Sequence, residues 1–313
     1  VSLVLLNPRA AGGRAARLHG PIAAWLRVHR PGARLEAPAR IDDATALVER
    51  SPRGGRVVLV GGDGTVHRLL PALLEGACEL GLVPAGSGND TARALGVAGM
   101  RPAAALALAL EGAARPWDVG ECAFAGRRVL FASSLAAGFD AAVGLRALRG
   151  PAWLTGQPRY LWATLREIAA LRAWTLRVRL DGEVAHAGPA LFASVLNTPT
   201  YGAGLRAVPS ARADDGRLDA LVAGRFGRAG ALAMLPRLMA GTHLGHRAVL
   251  SRGVAEMIVD SEDPVPLAGD GEPAGHARSW RVRVLPGALQ AVAGAPVAVY
   301  YPPTEPDPRR QAR

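Results

Sequence analysis

Up to about residue 119, short apolar runs alternate with stretches whose apolar positions recur every three or four residues. The pattern predicts four strand–helix pairs: 1–6 with 15–28, 33–37 with 42–50, 57–60 with 66–74, and 80–83 with 90–95. An uninterrupted apolar run such as 57–60 suits a strand covered on both faces, so the rhythm predicts a parallel sheet flanked by helices. Ligands of such sheets sit beyond the carboxyl ends of the strands. Three of the four predicted strands run into polar or glycine-rich loops there, at 7–13, 61–65 and 86–90.

Beyond about residue 120 the period changes to two. Phe124 and 129–131 flank Ala125-Gly126, 175–180 and 183–187 flank Asp181-Gly182, and further strands are expected over 254–260 and 280–285. Such turn dipeptides between alternating runs predict antiparallel hairpins. Helices are expected near 161–171 and 229–240. The expected organisation is an α/β domain over 1–119, a β-rich domain over 120–301, and a frayed, proline-rich charged tail over 302–313.

Composition narrows the chemistry. The chain has 313 residues, half of them apolar, enough for two cores. All 37 basic residues are arginine, and the net charge is +11. The absence of lysine excludes the P-loop, the protein-kinase strand lysine and Schiff-base chemistry. Any phosphate must be met by backbone amides, arginines or a metal. Cys78 and Cys122 form no CxxC pair, which argues against a disulfide framework or thiolate zinc site and fits a reducing, cytoplasmic setting. Residues 1–6 are too short for a signal-peptide core, and 103–110 falls far below the roughly 18 apolar residues of a membrane span. No basic run interleaved with aromatics marks a nucleic-acid surface, so no nucleic-acid partner is expected.

The loop Gly61-Gly62-Asp63-Gly64-Thr65 follows a strand and opens a helix. Its glycines would let backbone approach a phosphate, the helix amino terminus would supply positive potential, and Asp63 could hold a metal or a water there. A tight strand-to-helix turn would need the same residues. Gly86-Ser87-Gly88-Asn89-Asp90 repeats the design. Neither completes G-x-G-x-x-G, because Val66 and Thr91 hold the last position, and Ala85 breaks a G-x-S-x-G elbow around Ser87. Asn7-Pro8 with Gly12-Gly13 forms a third loop at the same edge, and three such loops point to a polyphosphate nucleotide.

Asp214-Asp215-Gly216 and Asp270-Gly271-Glu272-Pro273 place carboxylates on glycine turns. Phosphoryl transfer to a hydroxyl profits from a carboxylate that accepts its proton and from Mg²⁺ on the phosphates, although a plain hairpin turn has the same sequence. His243 and His246 lack a third metal ligand and read as a solvated helix end or loop. Trp153, Tyr160, Trp162 and Trp174 lie among Arg146, Arg149, Arg159, Arg166 and Arg172, a composition suited to a membrane interface or to an ordinary packed helix.

In this order, Asn7-Pro8 with Gly12, the 61–65 loop, the 84–90 segment with Ala92-Arg93 and Leu95-Gly96, Gly138-Phe139-Asp140-Ala141, Asn197 with Tyr201-Gly202, Pro209 with Asp215-Gly216, and the 270–273 turn resemble the diacylglycerol kinase catalytic family. The resemblance implies an NAD-kinase-like amino-terminal α/β domain, a carboxyl-terminal antiparallel β-sandwich-like domain, and MgATP between them. ATP contacts carried over by position are Asn7, Pro8, Arg9, Ala10, Ala11, Gly61, Gly62, Asp63, Gly64, Thr65, Val66, His67 and Ser87, with Gly88, Asn89 and Asp90 in the same loop. The family's structural Mg²⁺ falls on the Asp215 carboxylate and the carbonyls of Arg212 and Arg217, and its base on Asp270 or Glu272, Asp270 being favoured. His67 and Arg68 depart from the usual asparagine and glutamate, and Pro38 or a neighbour stands in for a threonine. The function expected is an ATP-dependent lipid kinase with a diacylglycerol-like substrate, held peripherally on an anionic inner membrane face from the cytoplasm. The alternatives are a soluble-substrate kinase of the NAD-kinase type and a catalytically weak lipid- or nucleotide-binding regulator.

Overall fold

The computed structural model describes residues 2–151 and 153–294, so the tail expected over 302–313 and the last residues of the expected second domain lie outside the described residues. The first half consists of β1 (Leu3–Leu6), α1 (His19–His29), β2 (Arg34–Glu36), α2 (Ile41–Glu49), β3 (Arg56–Gly61), α3 (Asp63–Glu75), β4 (Glu79–Pro84), α4 (Asp90–Ala94) and α5 (Pro102–Glu111). Its strands pair in parallel in the order β2-β1-β3-β4. Along β3, Val57 and Leu59 enter the core beneath α2 and α3, while Val58 and Val60 enter the core beneath α1 and α5. Burial of both faces is why this strand shows no polar alternation. The helix α5 was not marked by periodicity, because its Ala/Leu run is apolar on every side.

The second half consists of β5 (Ala114–Phe124), β6 (Arg127–Phe131), β7 (Ser134–Ala137), α6 (Phe139–Leu148), α7 (Gln157–Ala169), β8 (Trp174–Leu180), β9 (Glu183–Leu196), β10 (Leu218–Gly224), α8 (Arg228–Ala240), β11 (Val249–Val254), β12 (Glu256–Gly269) and β13 (Glu272–Val292). The hairpins at Ala125-Gly126 and Asp181-Gly182 form as expected. Trp174, Leu176, Val178 and Leu180 of β8 all point into a core shared with Phe131, Met257 and Trp280. That is the period-two pattern of a strand with one buried face.

One strand joins the halves. β13 pairs antiparallel with β12 and β5, and near its end Gln290 and Ala291 run parallel to Glu79 and Leu80 of β4. The boundary expected after Val119 therefore lies inside β5, an uninterrupted strand, and one hydrogen-bonded sheet crosses from one half to the other. The loops beyond β1, β3 and β4 and the β12–β13 turn come together where the two halves meet.

Candidate active site

The β3–α3 and β4–α4 loops touch backbone to backbone. A Cβ on Gly62 would lie 2.6 Å from the Gly86 Cα. Gly62 has φ −122°, open to any residue, so its missing side chain serves this approach rather than an unusual conformation. The Asp63 carboxylate then binds the second loop, Oδ2 accepting the Asp90 amide at 3.0 Å and Oδ1 the Thr91 amide at 2.9 Å. Asn89 folds onto its own loop, its Oδ1 accepting the Gly86 amide. Asn7 donates from Nδ2 to Thr65 Oγ1 at 2.8 Å and so attaches the first loop. Asp90 faces the other half of the molecule, accepting from Thr200 Oγ1 at 2.7 Å and from the Ala203 and Gly204 amides. Burial raises the pKa of Asp63, and burial together with the neighbouring Asp63 pushes Asp90 up to about 6.

Between these loops lies a polar cleft of about 390 Å³, lined among others by Asn7, Arg9, Ala10, Ala11, Pro38, Gly62, Asp63, Gly64, Thr65, Ser87, Gly88 and Glu272. Six residues expected at the nucleotide do not line it. Val66 is wholly buried in the core beneath α3, and Gly61 ends β3 as a buried residue. Asn89 and Asp90 are committed to the loop contacts above, His67 faces Asp270, and Pro8 lies outside the lining.

An apolar cavity of about 450 Å³ opens among α6, α7, α8 and the sheet, with Phe139, Val143, Leu161, Ile168, Met234 and Leu238 in its wall. Asp63, Gly88, Tyr160, Asp270 and Gly271 line both spaces, so the two meet at these residues. Burial, then the negative charge of Asp90, Asp63 and Glu272, pushes the Tyr160 hydroxyl up to about 12 and keeps it protonated.

The β12–β13 connection is tight. Asp270 (φ 48°) and Gly271 (φ 82°) are both left-handed, as a two-residue hairpin of the primed kind requires. The Asp270 side chain is 1% exposed and hydrogen-bonded throughout. Its Oδ1 accepts from the Ser133 and Ser134 amides, and its Oδ2 from the Ala132 amide and His67 Nδ1. A carboxylate offers about four lone-pair sites, and here all are filled. Glu272 is 25% exposed, and its Oε2 accepts from Arg68 Nη2 at 2.7 Å. Its Oε1 lies over the first turn of α3, 2.5 Å from where a Cβ on Gly64 would be, and accepts no hydrogen bond among the described residues.

Arg212, Asp215 and Arg217 lie apart from both spaces, on an exposed turn. Asp215 Oδ1 accepts the Arg217 amide at 3.0 Å, and Arg212 pairs with Asp214. The turn is anchored by Asp118, which sequence reading missed. Its buried carboxylate accepts the Gly216 and Gly287 amides, each at 2.7 Å. An acidic residue between Trp117 and Val119, both buried apolar residues of β5, was the available signal.

One expectation is corrected. His243 is not solvated but buried, donating from Nε2 to the Ala207 carbonyl at 2.8 Å. In the aromatic, arginine-rich segment, Trp174 is buried in the sheet core and Tyr160 lies between the cleft and the cavity, leaving Trp153, 80% exposed, as its prominent surface aromatic. The α6–α8 cavity had no local motif, because its wall is drawn from six or more separate elements.

Comparison with known proteins gives a consistent likeness. Residues 2–122 match the diacylglycerol kinase catalytic domain, and residues 133–293 match the YegS C-terminal NAD kinase beta sandwich-like domain. A protein of Mycobacterium tuberculosis named "Diacylglycerol kinase" is 34% identical over 246 residues, covering 77% of this chain and 78% of that one. One of Pseudomonas aeruginosa named "Probable lipid kinase YegS-like" is 32% identical over 278 residues, covering 84% of this chain and 85% of that one. Among solved structures, a diacylglycerol kinase from Bacillus anthracis aligns with a TM-score of 0.69 at 19% identity, over 94% of this chain and 97% of that chain. An NAD kinase from Archaeoglobus fulgidus in complex with ATP aligns at 0.52 and 14%, over 95% of each chain, which extends the likeness of fold.

Proposed function

Since the chain belongs to the diacylglycerol kinase catalytic family and is a lipid kinase, we propose that it transfers the γ-phosphoryl group of ATP to the hydroxyl of a diacylglycerol-like lipid. The observation that carries this reading is the meeting of a polar, loop-lined cleft with an apolar cavity at Asp270 and Tyr160. A nucleotide triphosphate suits the first and acyl chains suit the second, so the γ-phosphate and the lipid hydroxyl would meet at the junction.

The residues present fit such a nucleotide. The Asp63 and Gly64 amides that open α3 have no acceptor within the helix, and the helix start points a partial positive charge at the cleft. Arg9, Arg40 and Arg68 supply the cations that lysine supplies elsewhere. The Asp215 carboxylate and the Arg212 and Arg217 carbonyls would offer an all-oxygen donor set, suited to a hard cation such as Mg²⁺. Magnesium bound there would pin the 212–217 turn, and magnesium carried by ATP would neutralise phosphate charge.

In the transfer, the lipid hydroxyl oxygen forms a bond to the γ-phosphorus while the bond to the β-phosphate oxygen breaks, releasing ADP. The hydroxyl proton passes to Oε1 of Glu272. Sequence reading favoured Asp270 as the base, but its filled hydrogen bonding supports a different part: it holds the turn against residues 132–134 and sets where Glu272 stands. Removing a positioned base costs about 10²–10⁴-fold in rate.

Leu161 and Met239 line the cavity and are also exposed, at 46% and 59%, and Leu148, Trp153, Leu165 and Leu232 of α6, α7, α8 and the α6–α7 connection are exposed as well. Arg149, at the end of α6, and Arg166, in α7, are exposed. An apolar rim with arginines supports peripheral docking on an anionic membrane, from which lipid enters the cavity. No helix among the described residues is long and apolar enough to cross a membrane.

The test is transfer of label from γ-labelled ATP to a panel of diacylglycerol, sphingoid base, ceramide, phosphatidylglycerol and NAD. Label in diacylglycerol is the expected result, while label in NAD alone would replace the lipid by a soluble acceptor.

A further inference from the structure

The Arg68 guanidinium is spent on Glu272 of β13, 204 residues away. Both side chains line the polar cleft. Arg68 is about half exposed, so its ion pair is of the solvent-screened kind that contributes little. A phosphate offers the same guanidinium a doubly charged, bidentate partner. Glu272 meanwhile leans over the first turn of α3, its Oε1 occupying the space above Gly64. That is where a helix amino terminus would receive a phosphate.

We infer that Arg68 exchanges partners, holding Glu272 before nucleotide binds and moving to the phosphates of the arriving nucleotide. The inference rests on the reading of the polar cleft as the ATP site. Its consequence is ordered activation: the carboxylate assigned as base is released from its cation only when the phosphoryl donor is in place. The chain has no lysine to meet the phosphates instead, and the other cleft arginines differ in place. Arg40 pairs with the neighbouring Asp42, and Arg9 belongs to the loop after β1.

Binding of MgATP in the absence of lipid, measured by titration calorimetry across a double-mutant cycle, tests this without any turnover. Glu272→Gln should bind MgATP about three- to tenfold more tightly than the natural chain, because Arg68 no longer has to leave a partner. Arg68→Gln should bind it more weakly by a similar factor. The deciding comparison is Glu272→Gln made in the Arg68→Gln background. Loss of a nearby negative charge favours ATP there as well, but no cation is freed, so the gain should be clearly smaller than in the natural background. An equal or larger gain means that Glu272 merely repels the phosphates, and the exchange is overturned. If the natural chain binds no MgATP, it is the nucleotide site that fails.

Discussion

His67 on α3 donates from Nδ1 to Oδ2 of Asp270, 3.1 Å away in the β12–β13 turn. Because a carboxylate only accepts, Nδ1 carries the proton. Burial of the ring by itself would lower its pKa, but the hydrogen bond and the charge of Asp270, helped by Glu272, outweigh burial and raise it. The folded chain thus binds a proton more tightly here than the unfolded chain does. This stabilisation is complete below the ordinary histidine value near 6.5 and is lost as pH rises through the folded value above it.

His67→Gln should therefore lower the thermal midpoint more at pH 6 than at pH 8.5, with a cost at the lower pH of about 1–2 kcal/mol. A midpoint difference independent of pH between those values would show that the ring contributes packing alone.

Glu272→Gln should reduce kcat by about 10²–10⁴-fold while leaving the thermal midpoint nearly unchanged, since its side chain is partly exposed and ties only to Arg68. Asp270→Asn should behave differently. It sets an amide NH₂ against donors from Ala132, Ser133, Ser134 and His67, and should cost about 1–3 kcal/mol of stability along with activity. Calorimetry beside steady-state kinetics separates the two. A stable, inactive Asp270→Asn with an active Glu272→Gln would return the base to Asp270.

The contrast between these two carboxylates shows what the chain discloses in one dimension. Sequence placed both on one glycine turn, since Asp-Gly between alternating runs has a local meaning. Which one is free depends on residues 132–134 and on His67, between 136 and 203 residues distant. Similarly, the strand rhythm of β1 to β4 was legible because both-face burial leaves an unbroken apolar run. The helix α6 was not, because it begins directly after a buried strand and has apolar residues on several sides. The glycines of the 61–65 loop have a second use besides the phosphate approach expected of them. Gly62 is needed by Gly86, a neighbour in space that no spacing rule identifies. The apolar cavity was invisible for the same reason, its wall being assembled from helices and strands across the whole second half.

Membrane docking should depend on the rim of that cavity. Trp153→Ser removes the most exposed aromatic among the described residues, and Leu161→Ser with Met239→Ser removes the two exposed residues that also line the cavity. Each change should weaken sedimentation with phosphatidylglycerol vesicles, and raising salt from 0.1 M to about 0.5 M should weaken binding of the natural chain by screening its arginines. Binding that ignores both salt and these substitutions would assign the rim to a different role.

Asp140 gives a pH dependence that one substitution can isolate. Its carboxyl lies at the wall of the apolar cavity, Oδ2 accepting from Ser194 Oγ at 2.5 Å and Oδ1 from the Ala141 amide at 2.8 Å. Burial raises its pKa to about 6 against these hydrogen bonds, which act to lower it. In the unfolded chain the same carboxyl ionises near 3.9, so between that value and 6 the folded chain binds the extra proton. Below about pH 4 both states are protonated and the contribution is fully present; as pH rises through 6 it is lost. Ionisation at neutral pH therefore costs the fold roughly 1–3 kcal/mol. Asp140→Asn keeps an acceptor for Ser194 and cannot ionise, so its thermal midpoint should gain on the natural chain as pH rises from 4 to 7 and then hold a constant lead. The profile matters more than the size, because a change in packing would shift both curves by the same amount at every pH. Parallel curves across that range would mean that Asp140 is ionised in the fold at little cost and that the cavity wall is wetter than its apolar lining implies.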